Sequence, residues 1–260
     1  MSVTERYREA WESFWEDAPA EPGSVFWDAE PALTAGLHLA LFEPELTAVG
    51  LPMVDLGCGN GSQTRFLADR YRKVIGADLS VAALDRARHA DRAEQAEYRQ
   101  LDATMADQVA ALHAELGDVN VYMRGVLHQS EPADRQPLID AVAALVGERG
   151  RAFVVELSER ARPVLRGLAD HPAGPPPKLA PVFAHGIAPG EVSDAAVPAY
   201  VVRAGLVVLD SGELPLLTTE FTPDGRRIEL PSLWLVAGRV PGEVAGRVAG
   251  RPVRRGKMIG

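Results

Sequence analysis

The chain has 260 residues, 47% of them hydrophobic, and a formal net charge of −9. This length is enough for one α/β domain with an extension, but not comfortably for two domains. The acidic balance argues against nucleic acid as the main partner, because phosphate groups are bound by a basic face. The single cysteine, with no signal peptide pattern and no long apolar run, predicts a cytoplasmic protein with no membrane partner.

The N-terminal segment is rich in aromatic residues. Residues 2–17 are predicted to form an amphipathic helix, because large apolar side chains recur there at helical spacing. These side chains are Tyr7, Trp11, Phe14 and Trp15. A proline-containing turn at residues 19–23 and a second helix pattern at residues 31–43 follow.

A predicted strand, a glycine-rich turn and a predicted helix follow one another at residues 52–72. The sequence V-D-L-G-C-G-N-G occupies residues 54–61. Its glycines let the chain turn sharply and approach a ligand closely, and the N–H groups that begin the helix can hold a negative group. Asp78 ends the next strand, where a carboxylate can accept hydrogen bonds from two ribose hydroxyls. The segment therefore predicts a nucleoside pocket.

The glycine spacing favours one class of nucleoside. A dinucleotide fingerprint would need a third glycine at position 62, where this chain has Ser62. The G-x-G-x-G pattern instead resembles motif I of the class I S-adenosylmethionine-dependent methyltransferases. The resemblance implies that Asp78 binds the ribose, that Leu79 lies beside the adenine, and that Asp102 with Ala103 holds the adenine amino group. Alternatively, the glycine turn holds no nucleoside, and Asp78 and Asp102 only cap helices.

Strands and helices alternate through the middle of the chain. This alternation predicts a parallel, doubly wound α/β sheet with right-handed crossovers. The predicted strands are 52–57, 73–78, 96–101, 118–124 and 151–157, and the predicted helices are 62–72, 80–92, 105–116, 132–146 and 191–204. The family that the chain resembles has a mainly parallel, seven-stranded sheet with the last strand antiparallel. Residues 206–210 and 233–237 are the candidates for its final strands.

Three parts are predicted along the chain. Residues 1–48 form a helical lid over the active-site edge, as the resemblance implies, and residues 49–240 form the S-adenosylmethionine-binding domain. A proline-rich insertion at about 161–190 lacks periodicity and is predicted to be a long or irregular loop. Residues 241–260 are predicted to be a basic, flexible tail.

Polar residues just after the fourth and fifth strands are the candidates for chemistry, because ligands bind outside the carboxyl ends of the strands. His128 is predicted to act as the general base; alternatively, it only orients backbone at a helix end. Arg124 holds a substrate carboxylate or lies beside the methionine part of the cofactor. Glu156 binds a substrate amine or caps the segment that follows it.

The predicted site has a cofactor part and a substrate part. The cofactor-binding residues are Asp55, Gly57, Gly59, Asp78, Leu79, Asp102, Ala103 and Arg124. The substrate-binding residues are Trp11, Trp15, Trp27, Glu156 and His185. A tryptophan-rich lid suits an apolar or aromatic acceptor, or a cation. Alternatively, the rings only pack the lid onto the core, and His185 is a solvated loop residue.

These features predict an enzyme that transfers a methyl group from S-adenosylmethionine to an oxygen, nitrogen or carbon atom of a small molecule in specialised metabolism. No metal is expected, because the Asp/Asp/Asn site of catechol-type O-methyltransferases has no evident counterpart. The protein is expected to be a monomer or a homodimer. The alternatives are methylation of a peptide or carrier-bound substrate and a non-methylating member of the fold. An NAD(P)-dependent oxidoreductase is disfavoured by Ser62 and by the lack of a Tyr-x-x-x-Lys pair.

Overall fold

A central sheet organises the molecule. The computed structural model describes residues 3–172, 174–187 and 189–240, together with Arg254–Arg255. The strands in these residues are β1 Met53–Leu56, β2 Val74–Asp78, β3 Glu97–Gln100, β4 Asn120–Arg124, β5 Arg151–Leu157, β6 Val207–Glu213, β7 Leu216–Phe221, β8 Arg227–Leu230, β9 Ser232–Gly238 and β10 Arg254–Arg255. The main sheet has the order β10-β6-β9-β5-β4-β1-β2-β3, while β7 and β8 pair separately as a hairpin.

The main sheet confirms the predicted fold. β1 to β5 pair in parallel, whereas β9 is antiparallel to its neighbours β5 and β6. Apart from the two-residue β10, these are seven strands of which the last is antiparallel. The chain crosses from one half of the sheet to the other between β1 and β4. A ligand of such a sheet binds outside the carboxyl ends of the strands at this switch point.

Helices cover both faces of the sheet. They are α1 Val3–Asp17, α2 Ala35–Phe42, α3 Ser62–Ala68, α4 Val81–Ala90, α5 Ala106–Leu116, α6 Arg135–Val146, α7 Ala161–Ala169, α8 Ala180–Ala184 and α9 Ala196–Arg203. None of these described helices is both long enough and apolar enough to span a membrane. α5, α6 and α9 pack against one face, and α1, α2, α3 and α7 pack against the other. Since successive strand residues point to opposite faces, Met123 joins the first core and Tyr122 joins the second.

The proline-rich insertion is more regular than its sequence indicates. The prediction of a long, irregular loop at 161–190 is wrong, because α7 and α8 lie within it. α7 tolerates Pro163 because this residue lies in the first turn, where N–H groups have no partner inside the helix. Burial of Ala161 and Val182 in the second core stabilises both short helices.

Two other elements differ from the sequence predictions. The β7–β8 hairpin adds to the predicted strands, and its turn T-P-D-G contains Gly225 at φ +82°, which is a recognisable turn signal. The helix predicted at 191–204 begins only at Ala196. The predicted flexible tail, residues 241–260, lies outside the described residues except for Arg254–Arg255, which pair with β6.

Candidate active site

The turn between β1 and α3 requires glycine at two positions. Gly57 and Gly59 adopt φ values of +76° and +55°, in the left-handed region that other residues rarely enter. A Cβ on Gly57 would lie 2.5 Å from Cγ2 of Val126, and a Cβ on Gly59 would lie 2.9 Å from the ring of Trp15. The turn is therefore held between the segment after β4 and the N-terminal helix α1.

Asp78 connects the end of β2 to this turn. Its Oδ2 accepts a hydrogen bond from the Gly59 N–H at 2.8 Å, and its Oδ1 accepts one from the Ser80 N–H at 2.9 Å. Ser80, not Asp78, caps α4, because the Ser80 hydroxyl accepts the Ala83 N–H. Burial raises the pKa of Asp78. Each carboxylate oxygen still has a lone pair available, so Asp78 can also accept hydrogen bonds from a ligand.

Asp102 already has partners on both oxygens. Its Oδ1 accepts the N–H and the hydroxyl of Thr104, at 3.0 and 2.6 Å. Its Oδ2 forms an ion pair with Arg8 of α1 at 2.5 Å. α5 begins four residues later, with Met105 as its N-cap residue, so Asp102 does not cap that helix. The ion pair instead connects the predicted adenine-binding loop to the lid.

One cavity of about 250 Å³ collects most of the predicted site. Its wall includes every predicted cofactor-binding residue, and also His128, Trp11, Trp15 and Trp27. Glu156 and His185 are not on this wall. The structure thus brings the predicted residues together at the carboxyl ends of the strands, and their roles in binding stay predictions.

The lid helix α1 lies over the cofactor end of this cavity. Trp15 packs against Gly59, Arg8 reaches Asp102, and the Tyr7 hydroxyl donates to Oε1 of Gln129 at 3.0 Å. Trp11 and Trp27 form an edge-to-face pair with ring centroids 5.6 Å apart. Trp15 is therefore placed beside the cofactor motif, whereas the sequence assigned it to the substrate. Arg8 and Tyr7 belong to no recognisable sequence motif, so their position at the site is evident only from the fold.

His128 and Glu156 form a buried pair below the cavity. His128 Nδ1 lies 2.7 Å from Oε2 of Glu156, and the two side chains are 8% and 2% exposed. Since a carboxylate only accepts hydrogen bonds, Nδ1 donates to Glu156, and in the neutral imidazole Nε2 carries the lone pair. In the described parts of the chain no group forms a hydrogen bond with Nε2, and His128 lines the cavity. The arrangement supplies a proton acceptor at the cavity wall.

Glu156 also holds the backbone of the segment after β4. Its Oε1 accepts the N–H groups of Val126 and Leu127, both at 2.8 Å, and its Oε2 accepts the N–H of His128 at 3.3 Å. Both carboxylate oxygens of Glu156 thus hold groups of the protein, and Glu156 is not on the cavity wall; its binding of a substrate amine stays a prediction. The alternative, that Glu156 caps a backbone segment, agrees better with these hydrogen bonds. The capped segment, however, is the one after β4, whereas the sequence predicted the one after β5.

His185 lies off the cavity wall and contacts the lid. Its Nε2 lies 3.5 Å from Oδ2 of Asp17 at the end of α1, and its ring meets Phe14 edge-to-face at 5.8 Å. These contacts place His185 against the lid, and its substrate role stays a prediction. The loop histidine faces α1 because α8, which precedes it, packs into the second core.

Arg124 and Asp55 lie at the ends of neighbouring strands. The Arg124 guanidinium donates to the Trp27 carbonyl at 3.1 Å, and Asp55 accepts the Thr64 hydroxyl at 2.6 Å. Burial raises the pKa of Asp55 to about 6, while Thr64 and Arg124 oppose this increase. A buried carboxyl group and a guanidinium thus lie at the end of the cavity where the resemblance places the methionine part of the cofactor.

We expect Asp55→Asn to stabilise the protein above pH 7. The pKa of Asp55 is about 6 in the folded protein against an ordinary 3.8, so the fold loses stability as the pH rises from about 4 to about 6, because the unfolded chain ionises first. The gain in the free energy of unfolding is up to about 3 kcal/mol at pH 7.5 and vanishes below about pH 4. Urea denaturation of both proteins across this range measures the difference. Asp170→Asn, at an exposed position, is the control, and equal stability of Asp55→Asn and the parent at pH 7.5 would contradict the prediction.

Comparison with known proteins identifies the family. The family described as "Methyltransferase domain" matches residues 53–150. The crystal structure of an S-adenosylmethionine-dependent methyltransferase from Anabaena variabilis is 30% identical, with a TM-score of 0.82 over 92% of this chain and 96% of that one. The chain belongs to the S-adenosylmethionine-dependent methyltransferases.

More distant members of the family share parts of the chain. The ubiquinone biosynthesis O-methyltransferase of Stutzerimonas stutzeri is 30% identical over 119 residues, which are 45% of this chain and 49% of that protein. The match therefore spans about half the length of this curated relative. The crystal structure of magnesium protoporphyrin IX methyltransferase from Synechocystis PCC 6803, with bound SAH, is 17% identical and covers 92% of this chain and 98% of that one. With a TM-score of 0.58, it shows the fold alone.

The cavity wall formed by α7, α8 and the β7–β8 hairpin departs most from the sequence predictions. It includes Leu165 of α7, Val182 of α8, Leu216 of β7 and Leu230 of β8. Leu165 and Val182 were not predicted because the insertion has no helical periodicity, and no pattern within a single strand predicts that Leu216 and Leu230 line a cavity.

Among the described residues, no group of three His, Cys, Asp or Glu side chains could hold a metal ion. That this methyltransferase family member uses no metal stays a prediction.

Proposed function

We propose that this protein transfers a methyl group from S-adenosylmethionine to a small-molecule acceptor. The single observation that carries the proposal is the shared cavity. The glycine turn, Asp78 and Asp102 lie on its wall together with the available Nε2 of His128. A nucleoside site and a proton acceptor on one wall are what methyl transfer to a protic group requires.

The residues at the cofactor end fit S-adenosylmethionine. The Asp78 carboxylate retains lone pairs for the ribose hydroxyls, and Leu79 and Ala103 offer apolar contact for the adenine. Asp55 and Arg124 can bind the amino and carboxylate groups of the methionine part. Gly57 and Gly59 leave the space that a Cβ would fill.

The chain supplies positioning, a base and a dry environment. The bound cofactor provides a methyl group on a positively charged sulfur, which is already strongly electrophilic. Nε2 of His128 accepts the proton of the acceptor, while Glu156 holds Nδ1–H and stabilises the charge that forms on the ring. The apolar walls exclude water, and the lid holds both reactants in line.

Two features favour a small acceptor over a peptide or a carrier-bound chain. α1 closes over the cofactor end through Arg8 and Trp15, and the cavity of about 250 Å³ is close to the lower end of small-ligand pockets, roughly 300 Å³, which leaves little room for a polymer. The name of the Stutzerimonas stutzeri relative, an O-methyltransferase of ubiquinone biosynthesis, supports oxygen as the methylated atom.

Calorimetric titration with S-adenosylhomocysteine tests the cofactor. We expect micromolar binding of S-adenosylhomocysteine and no binding of NADH or NADP⁺, because the turn lacks the third glycine of the dinucleotide fingerprint. Binding of a dinucleotide in place of S-adenosylhomocysteine would overturn the proposal. Mass spectrometry of acceptor mixtures incubated with S-adenosylmethionine then tests transfer itself.

A further inference from the structure

We propose that the acceptor is an uncharged hydroxyl compound with a flat apolar ring, of the phenol type; this inference rests on the proposed methyl transfer. Three observations lead to it: the chemistry of the walls at the substrate end, the position of the charged groups along the cavity, and the hydrogen bond between His128 and Glu156.

The substrate end of the cavity has apolar walls on several sides. Leu165 comes from α7, Leu179 and Val182 come from the α8 region, and Leu216 and Leu230 come from the β7–β8 hairpin. The one hydroxyl among these hairpin positions belongs to Thr218, which donates to the Ile228 carbonyl at 2.8 Å. A charged group placed between these walls would lose its hydration without gaining a partner, which is costly.

The charged groups of the cavity lie elsewhere. Asp78 and the Arg8–Asp102 ion pair lie at the cofactor end. The Arg124 guanidinium donates to the Trp27 carbonyl, and its charge opposes the rise in the pKa of the nearby Asp55. Glu131 lies beside Tyr7, whose pKa it helps to raise, and the Asp134 N–H donates to the Glu131 carbonyl. Asp28 accepts hydrogen bonds from Asn60 and Ser62 at the glycine turn. Within the described residues, the apolar walls therefore contribute neither a cation nor a carboxylate to the substrate end.

The His128–Glu156 pair selects for a group that has a proton to lose. With Nδ1–H held by Glu156, Nε2 of the neutral imidazole accepts a hydrogen bond. A carboxylic acid is already ionised at neutral pH and has no proton to give. An alkylamine is protonated, since its pKa resembles that of lysine at about 10.4, and would bring an unpaired charge between the apolar walls. A phenol, with a pKa of about 10, is neutral in water and can lose its proton as it reacts.

The step balances with the cofactor as the methyl donor. A lone pair of the acceptor oxygen forms the new O–CH₃ bond, and the pair of the broken S–CH₃ bond stays on sulfur as a neutral thioether. The hydroxyl proton moves to Nε2 of His128, and the resulting imidazolium lies against the Glu156 carboxylate. The rings of Trp11 and Trp27, which meet edge-to-face, offer aromatic contact for a flat ring.

Three probes that share one ring system test the acceptor class. Naphthol, naphthylmethylamine and naphthoic acid are each incubated with the full chain and S-adenosylmethionine, and methylated products are measured by mass spectrometry. We expect naphthol to be methylated about 10-fold faster than the other two, because only naphthol enters uncharged. A preference for the amine or the acid would overturn the inference, as would S-adenosylhomocysteine binding without methylation of any probe. Absence of S-adenosylhomocysteine binding would instead count against the proposed function.

A substitution in α7 tests whether the apolar wall sets this preference. Leu165 is half-buried and lines the cavity, so Leu165→Glu places a carboxylate at the substrate end. We expect the ratio of naphthylmethylamine to naphthol methylation to rise by about 10-fold, since the amine gains a charged partner. Leu168→Glu, half-buried on the same helix but not on the cavity wall, should leave the ratio unchanged. An unchanged ratio in folded Leu165→Glu would contradict the assignment of this wall to the acceptor.

Discussion

His128→Ala is expected to lower turnover about 100-fold while leaving the affinity for S-adenosylhomocysteine unchanged, as loss of a general base does. Nε2 is the atom of His128 that has no hydrogen bond from the described residues and lies at the cavity wall. The substitution leaves Glu156 with its three backbone N–H donors, so the segment after β4 should keep its position. Initial rates with naphthol and calorimetry with S-adenosylhomocysteine measure the two quantities.

Two control variants separate proton transfer from structural effects. His89→Ala removes an exposed histidine on α4 and should change neither rate nor affinity. Glu156→Gln should lower kcat with the KM for S-adenosylmethionine unchanged, because Glu156 acts as a positioning residue for His128. If His128→Ala retained near-normal turnover, positioning alone would account for catalysis and the assignment of the base would be wrong.

Asp78→Ala should weaken S-adenosylhomocysteine binding about 10-fold or more, as the loss of charge-assisted hydrogen bonds does. The carboxylate is expected to bind the ribose, and it also accepts the Gly59 N–H at 2.8 Å. Its removal therefore takes away a direct ligand contact and the hydrogen bond that holds the glycine turn in its left-handed conformation. Calorimetry at constant pH measures the affinity, and thermal unfolding shows whether the variant is folded.

Asp78→Asn distinguishes the two contributions. The amide keeps one acceptor oxygen but loses the charge, so we expect an affinity between those of the parent protein and Asp78→Ala. Asp85→Ala, an exposed carboxylate on α4 that pairs with Arg88 at 2.8 Å, should bind S-adenosylhomocysteine normally. Unchanged affinity in a folded Asp78→Ala variant would show that the ribose is held by other groups.

The lid has more contacts with the domain than its aromatic pattern indicates. Thr219 of β7 donates its N–H to the Phe26 carbonyl at 2.8 Å, and Asp28 accepts hydrogen bonds from Asn60 at 2.9 Å and from Ser62. The segment after α1 therefore connects the substrate hairpin to the glycine turn. A shift of the lid would therefore move residues at both ends of the cavity.

The sequence by itself determined the sheet and the cofactor end of the site. Alternating strands and helices, a local property of hydrophobic spacing, predicted the parallel, doubly wound sheet, and the resemblance to the methyltransferase family implied its antiparallel last strand. The turn from Asp55 to Gly61 and the strand-end residues Asp78 and Asp102 belong to short contiguous motifs. Topology places the carboxyl ends of parallel strands at one edge, so these motifs converge without any further information.

Only the tertiary structure decided the lid contacts, the role of Glu156 and the substrate end. Arg8 and Asp102 are far apart in sequence yet form an ion pair, and Glu156 reaches back from β5 to the segment after β4. α7 and α8 form because packing against the second core compensates for a proline-rich sequence of low helical periodicity. Local patterns report only what neighbouring residues share, whereas these contacts depend on distant residues that meet after the sheet has formed.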